Sequence, residues 1–167
     1  MIPLKDDNPI SSRPIVTYFL IGLCVVVFLM QLESGCLENI GCLATYGLIP
    51  AVLMGNVSTN ADGITINILP VYVPIFTHMF MHGGFMHLIF NMLYLWIFAD
   101  NIEDDLGPKK FIIFYLLCGI GAAMAQVLMD THSQAPMIGA SGAIGGVLGA
   151  YLINHPNARV LVLIPYI

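Results

Sequence analysis

Charged side chains are scarce in this sequence, and their scarcity excludes several classes of protein. Asp, Glu, Lys and Arg make up 9% of the 167 residues, whereas a typical soluble domain has about 25%. Hydrophobic residues make up 58% and the mean hydropathy is +0.87, which excludes a soluble globular domain and a disordered tail. With 5 Lys and Arg residues and a net charge of −5, the chain also lacks the basic patch of a nucleic-acid-binding protein. The composition predicts a single domain that lies mostly in a lipid bilayer.

Long uncharged runs predict an all-α fold, a polytopic helix bundle in the membrane. Four runs cover residues 14–32, 84–99, 111–129 and 138–153, and the first is close to the roughly 20 residues that one bilayer crossing needs. Residues 160–167 begin a fifth apolar run that is too short to cross. We therefore expect four complete spans and the start of a fifth, in a membrane domain that is truncated at its C-terminus.

The positive charges predict the orientation of these spans. Lys5 and Arg13 precede the first run, Lys109 and Lys110 lie between the second and third runs, and Arg159 lies between the fourth and fifth. The intervening loops, residues 33–83 and 130–137, contain no Lys or Arg. Because Lys and Arg accumulate on the cytoplasmic side of a membrane, we expect a cytoplasmic N-terminus and two loops that face outward.

The outer loop, residues 33–83, is long enough to have a structure of its own. Its apolar stretches at residues 43–54 and 64–81 are broken by prolines and predict short amphipathic helices in the membrane interface. Residues 56–63 are rich in Asn, Ser, Thr and Gly and predict a turn.

The cysteines differ in their surroundings. Cys36 and Cys42 share the outer loop, where an oxidising exterior would permit a disulfide, but their spacing leaves the pairing open. Cys24 and Cys118 lie within apolar runs, and we interpret them as small packing residues.

Ionisable residues inside spans usually mark function, and several lie where the second span begins. His78 and His82 are four residues apart, as are His87 and Asn91, so each pair shares a face of a helix. Three imidazoles are a reasonable zinc ligand set. However, no carboxylate or cysteine lies at this depth, and Gly83-Gly84 interrupts the helical spacing. We therefore expect no metal and no cofactor, and we interpret His78 and His82 as loop-anchoring or interfacial residues.

Ser141 opens the fourth span in a stretch rich in glycine. Ser141, Gly145 and Gly149 recur every four residues, a spacing typical of close helix packing in membranes. Alternatively, Ser141 is a nucleophile, because glycines leave space for a substrate and a helix N-terminus stabilises negative charge. In the predicted topology Ser141, His87 and Asn91 enter the membrane from the same side and reach a similar depth. This convergence favours an active site over a packing seam.

Together these residues resemble those of the rhomboid intramembrane serine proteases. The GxSG motif of that family matches residues 139–142, and its second-span pattern matches His82, His87 and Asn91. Residues 6–9, Asp-Asp-Asn-Pro, are similar to the start of bacterial members.

The resemblance implies a six-span helical bundle that cleaves transmembrane protein substrates within or near the lipid bilayer. It implies that Ser141 is the nucleophile, and that His87, Asn91 and the Ser141 backbone N–H stabilise the oxyanion. Gly139 and Gly142 would shape the site around the serine. It also implies a multi-pass protein of the bacterial plasma membrane, with the active site toward the outer side.

The sequence departs from the family pattern in two places. The family's general base is a histidine on the sixth span, beyond residue 167, and a serine hydroxyl is a weak nucleophile without an adjacent base. The outer loop also lacks the Trp-Arg pair that is common there in the family. We therefore expect a Ser-His dyad in the complete protein and no proteolysis by these residues alone. The alternative is a non-catalytic rhomboid-like protein that binds transmembrane segments without cleaving them.

Overall fold

The structure, a computed structural model, describes residues 2–56 and 69–164. Most of these residues are helical, as the apolar runs predict. In chain order the elements are strand β1 (Ile2–Asp6), helices α1 (Ile15–Glu33), α2 (Ile40–Tyr46), α3 (Pro50–Leu53), α4 (Pro74–Thr77), α5 (Phe85–Leu106), α6 (Pro108–Met129) and α7 (Ser141–Asn154), and strand β2 (Val160–Leu163). Short 3₁₀ helices cover Cys36–Glu38 and His78–Phe80.

The long helices have the length and polarity of membrane spans. Within the described residues, α1, α5 and α6 are long and apolar enough to cross a bilayer. The apolar α7 has 14 residues, which corresponds to about 21 Å of helix against a hydrocarbon core of about 30 Å. Large apolar side chains such as Phe19, Leu117 and Ile153 are exposed on the helix surfaces, as expected for helices surrounded by lipid.

The ends of the helices differ from the predicted boundaries for identifiable reasons. The uncharged run predicts that the second span ends at residue 99, before the first charged side chain, but α5 continues through Asp100–Leu106. Pro108 begins α6 because its fixed φ suits the first turn of a helix. Ser141, not residue 138, begins α7 because Gly139 has a φ of +116°, far from the helical region.

The predicted start of a fifth helical span is wrong over residues 160–163. These residues form β2, which pairs antiparallel with β1, so that the neighbouring strand supplies backbone hydrogen bonds. A short apolar run does not distinguish a strand from a helix, and the residue before a proline, here Ile164 before Pro165, is biased away from the helical conformation. Residues 165–167 of that prediction lie outside the described residues.

The four long helices pack around one apolar core. α1 packs against α5, and α7 packs against both α5 and α6. The fully buried side chains at their contacts include Leu20, Leu95, Phe111, Tyr115 and Val147. α7, which begins with the candidate nucleophile, is therefore held by two neighbouring helices.

Small residues allow α6 and α7 to approach each other closely. A Cβ atom placed on Gly142 would lie 2.7 Å from the Cβ of Ala122, and one on Gly146 would collide with the side chain of Cys118. Gly142 and Gly146 are four residues apart, the spacing of a packing seam between membrane helices. This seam fixes which face of α7 is turned toward α6.

The outer loop contains short helices, as its apolar stretches predict. α2, α3 and α4 lie in it, and Asn39 caps α2 by accepting a hydrogen bond from the Gly41 N–H at 2.9 Å. Cys36 and Cys42 form a disulfide, which resolves the pairing that the sequence leaves open. The predicted turn at residues 56–63 lies outside the described residues from position 57 onward.

The segments that carry the positively charged residues lie at one end of the bundle. The Asp7 N–H donates to the Arg159 carbonyl at 3.0 Å, beside the β1–β2 pair. The Ser12 N–H donates to the Asp104 carboxylate at 2.9 Å, which brings the start of α1 to the end of α5. We call this end, which carries Lys5, Arg13, Lys109, Lys110 and Arg159, the basic end. The opposite end, where α7 begins at Ser141, is called the serine end.

Candidate active site

Ser141 is the first residue of α7 and is exposed at the N-terminus of that helix. In the turn before it, Gly139 has a positive φ that glycine adopts without steric strain. The Gly139 N–H donates to the carbonyl oxygen of His78 at 2.8 Å. This hydrogen bond ties the serine turn to the segment that leads into α5.

His87 lies in the first turn of α5 and faces the serine turn. A Cβ atom on Gly139 would lie 2.7 Å from both Cε1 and Nε2 of His87, and 3.8 Å from Ser141 Oγ. Only glycine therefore leaves room for the imidazole at this position. The structure thus brings together His87 and Ser141, two of the residues that the sequence singles out.

The other ring nitrogen of His87 has a backbone partner. The Gly83 N–H donates to His87 Nδ1 at 3.3 Å. An imidazole that accepts at Nδ1 and is neutral carries its proton on Nε2. His87 is therefore arranged to donate a hydrogen bond from the nitrogen that faces the serine turn.

Asn91 follows one helical turn later and lies beside the same helix start. It is buried, and its Nδ2 donates to the His87 carbonyl at 2.7 Å, which leaves the second amide N–H free to donate elsewhere. Asn91 and Ser141 both line a groove of about 280 Å³ between α5 and α7. The other residues that line this groove are Phe90, Tyr94, Ile144, Gly145 and Leu148.

The stripe of α7 that carries Ser141 is not the packed stripe. A Cβ atom on Gly145 or Gly149 would have nothing within 4 Å among the atoms outside its own helical turns, whereas Gly142 and Gly146 meet α6. Close packing is one of two interpretations of the Ser141, Gly145 and Gly149 spacing. In the structure, the residues that pack closely against α6 are Gly142 and Gly146 instead. Ser141 therefore lies on a side of α7 that is not packed against α6.

His78 and His82 make contacts that fit the loop-anchoring interpretation. His78 Nδ1 lies 2.9 Å from the Pro74 carbonyl, and burial lowers the pKa of His78. His82 is fully buried, with its ring 5.2 Å from the ring of His87 in an edge-on arrangement. Burial, and to a smaller extent the neighbouring His87, lowers the pKa of His82 to about 4. Both loop histidines are therefore neutral near pH 7.

The histidines do not assemble a metal centre in the part of the chain that the structure describes. No group of three or more His, Cys, Asp or Glu side chains is arranged there to hold an ion. The Nδ1 atoms of His78, His82 and His87 each contact a backbone group instead. Across residues 2–56 and 69–164, none of the hydrogen bonds made by histidine rings involves Ser141 Oγ.

Gln31 belongs to the surroundings of the site, although no sequence motif indicates it. Its side-chain Nε2 donates to the His82 carbonyl at 3.1 Å, and its Oε1 accepts from the His82 N–H at 3.0 Å. A signal was present in the sequence, because Gln31 is a polar residue near the end of an apolar span.

A family model for the rhomboid domain matches residues 70–167, more than half of the chain. The chain belongs to the rhomboid family. This finding confirms the family that the sequence motifs indicate, and the matched region contains α5, α6 and α7 with all the candidate site residues.

Individual relatives match this rhomboid over different lengths. Rhomboid protease GluP of Bacillus subtilis is 31% identical over 142 residues, which are 85% of this chain and 25% of that protein. RHOMBOID-like protein 5 of Arabidopsis thaliana is 35% identical over 74 residues, 44% of this chain and 24% of that protein. The mitochondrial Rhomboid protein 1 of Saccharomyces cerevisiae is 33% identical over 89 residues, 51% of this chain and 26% of that protein. The chain spans about a quarter of the length of these relatives.

Proposed function

We propose that this rhomboid is an intramembrane serine endopeptidase whose substrates are transmembrane segments of other proteins. The observation that carries the proposal is the meeting of Ser141, His87 and Asn91 beside the groove between α5 and α7. Ser141 Oγ would attack a peptide carbonyl, form an acyl-enzyme and release the first product, after which water would release the second. A relative named rhomboid protease GluP supports this class of reaction.

The negative charge of the tetrahedral intermediate needs hydrogen-bond donors in a site with little water. Three donors are available: the His87 Nε2–H, the second N–H of the Asn91 amide and the Ser141 backbone N–H. The first backbone N–H groups of a helix have no partner within the helix, and the helix dipole adds positive potential at this point. Gly139 and Gly142 would shape the site by admitting the imidazole and by holding α7 against α6.

The serine hydroxyl also needs a general base. His87 does not fit this role, because its Nε2 carries the proton that would be donated to the oxyanion. We propose that the base is a histidine outside the 167 residues and that it completes a Ser-His dyad with Ser141. These residues alone would then show no proteolysis.

The arrangement in the membrane follows from the two ends of the bundle. We propose four spans, α1, α5, α6 and α7, with the basic end in the cytoplasm and the serine end toward the outer side of a bacterial plasma membrane. Because α7 is shorter than a complete crossing, Ser141 would lie below the outer membrane surface. A polar site at that depth is suited to a peptide bond within or near the bilayer.

A second function is favoured by one observation. Among the histidines that the structure describes, none makes a hydrogen bond with Ser141 Oγ, and the groove beside the serine is lined mainly by apolar side chains. Such a groove would serve a non-catalytic rhomboid-like protein that binds transmembrane segments. The presence of Ser141 together with both side-chain donors favours the protease.

A fluorophosphonate probe, which labels activated serines, distinguishes these functions. We expect labelling of the complete protein in membranes, none of the 167-residue chain, and none of either protein carrying Ser141→Ala. No labelling of the complete protein would contradict the protease and favour the binding function. Labelling of the 167-residue chain at Ser141 would contradict a base from outside it.

A further inference from the structure

We propose that Gln31 is a positioning residue for the active site, because its side-chain amide holds the turn before α5 and thereby the imidazole of His87. The proposal rests on the proposed function, in which His87 donates to the oxyanion. Gln31 lies near the end of α1 and touches none of the reacting groups.

Two hydrogen bonds join the Gln31 amide to the backbone of a single residue. The amide Nε2 donates to the His82 carbonyl at 3.1 Å and the amide Oε1 accepts from the His82 N–H at 3.0 Å. A primary amide is suited to this pairing because it offers a donor and an acceptor side by side. Both residues are buried, so the two bonds are formed in a low dielectric that strengthens them.

His82, the residue held by Gln31, is connected to His87 by two contacts. Gly83, the next residue, donates its N–H to His87 Nδ1 at 3.3 Å, which favours the tautomer with its proton on Nε2. The ring of His82 also packs edge-on against the ring of His87 at 5.2 Å between centroids. A displacement of His82 would therefore change both the tautomer and the position of the imidazole.

The other end of α1 provides a matched control. The Thr17 hydroxyl donates to Glu103 at 2.8 Å, and both residues are buried at the basic end. Thr17→Val removes a buried hydrogen bond between α1 and α5 without touching the turn before His87. It therefore reports the effect of lost stability alone.

The first experiment compares Gln31→Met with Thr17→Val in the complete protein, using a transmembrane substrate in bilayers. For Gln31→Met we expect kcat to fall about 10- to 100-fold, since a displacement of about 1 Å at a positioned group costs about 100-fold, with KM within about twofold of wild type. For Thr17→Val we expect a lower Tm and an unchanged kcat. Equal losses of kcat in the two variants at equal loss of Tm would overturn the proposal.

The second experiment requires no turnover and reads the imidazole directly. In protein labelled with ¹⁵N-histidine, His87 is assigned by the signal that His87→Ala removes. We expect an unprotonated Nδ1 and a protonated Nε2 in wild type and in Thr17→Val, and a mixture of tautomers in Gln31→Met. An unchanged tautomer in Gln31→Met would contradict the coupling, even if the wild-type protein cleaves nothing and the proposed function itself is wrong.

Should Gln31→Met fail to fold, Gln31→Glu gives the same comparison. It keeps the acceptor for the His82 N–H and, once its carboxyl is ionised, loses the donor to the His82 carbonyl, so both readings are taken at a pH at which the new carboxyl is charged. We expect a smaller fall in kcat and a smaller change of tautomer than full loss of the amide would give. Wild-type values of both would overturn the proposal.

Discussion

The two ends of the bundle differ in whether their buried polar side chains have hydrogen-bond partners. At the basic end, the buried Glu103 accepts hydrogen bonds from the Val16 N–H at 2.9 Å, the Thr17 N–H at 2.7 Å and the Thr17 hydroxyl at 2.8 Å. At the serine end, His82 Nε2 is buried without a partner among the described residues. The Glu103 carboxylate is thus satisfied inside the protein, whereas His82 Nε2 is not.

Further hydrogen bonds at the basic end involve the C-terminal end of α7. The Tyr151 hydroxyl donates to Asp6 at 2.6 Å and the Asn101 amide donates to the same carboxylate at 3.1 Å. Near the end of α7, His155 Nε2 lies 2.9 Å from the carboxylate of Asp105. The helix that begins with Ser141 is thus fixed by hydrogen bonds at the end away from its serine.

This difference separates groups that hold the fold from groups that are available for chemistry. Buried polar groups in proteins nearly always have partners, so an unpartnered one requires an explanation. Two such atoms occur in the described segments, His82 Nε2 and the Tyr115 hydroxyl of α6. Only the first lies at the serine end, together with the second amide N–H of Asn91 and the exposed hydroxyl of Ser141. Substitutions at the two ends should accordingly have different effects, on turnover at one end and on stability at the other.

The largest effect is expected from His87 and Asn91, the two residues proposed as side-chain oxyanion donors. His87→Ala or Asn91→Ala in the complete protein should lower kcat about 100- to 1000-fold, the cost of removing one such donor. The variants should still accumulate in the membrane. Cleavage assays at matched protein levels check this. Wild-type rates in both variants would mean that the two residues only pack in the fold and do not stabilise the oxyanion.

A comparison of two glycines, one in the turn before Ser141 and one inside a helix, should show the next largest effect. Gly139→Ala places a Cβ 2.7 Å from the His87 ring at a residue with positive φ, and we expect kcat to fall about 10- to 100-fold because the imidazole is displaced. Gly121→Ala on α6 meets nothing within 4 Å and should leave kcat unchanged while favouring the helix by up to about 1 kcal/mol. Equal rates in the two variants would show that the turn does not position His87.

At the basic end the expected effect is on stability. Glu103→Gln removes the negative charge that faces the N-terminus of α1 and leaves fewer acceptors for three donors. We expect the free energy of unfolding to fall by about 1–3 kcal/mol, with kcat per folded molecule unchanged. Denaturant unfolding in detergent, combined with active-site titration, measures both quantities. A loss of kcat as large as that of His87→Ala would contradict the conclusion that the basic end affects stability and not turnover.

The bilayer explains why much of the fold was predictable. An apolar run must be about as long as the hydrocarbon core is thick, so the helices could be located from composition alone, and the GxSG and histidine spacings indicated the family. Which stripe of α7 packs could not be read, because Gly142 and Gly146 have the same four-residue spacing as Ser141, Gly145 and Gly149. The choice depends on the rotation of α7 against α6, which the sequence does not encode locally.

The pairing of Gln31 with His82 could not be predicted from the sequence for a related reason. It joins residues 51 positions apart, and no local pattern indicates which polar residue of one span meets the backbone beside another. The strand at residues 160–163 likewise depends on pairing with the first residues of the chain. Contacts between distant segments therefore account for most of what the sequence left open.

The last expected effect, again at the serine end, is on the dependence of stability on pH. The pKa of His82 in the folded protein is about 4, below its ordinary value of about 6.5, so between these values the unfolded chain binds more protons. Stability should therefore be complete above pH 6.5 and fall as the pH decreases toward 4, with His82 taking up about one proton on unfolding near pH 5. The lowered pKa of His78 acts in the same direction. Because carboxylates at the basic end also titrate at low pH, the measurement is the difference between Tm–pH profiles of wild type and His82→Leu. Parallel profiles between pH 6.5 and pH 5 would mean that His82 is not held neutral by the fold.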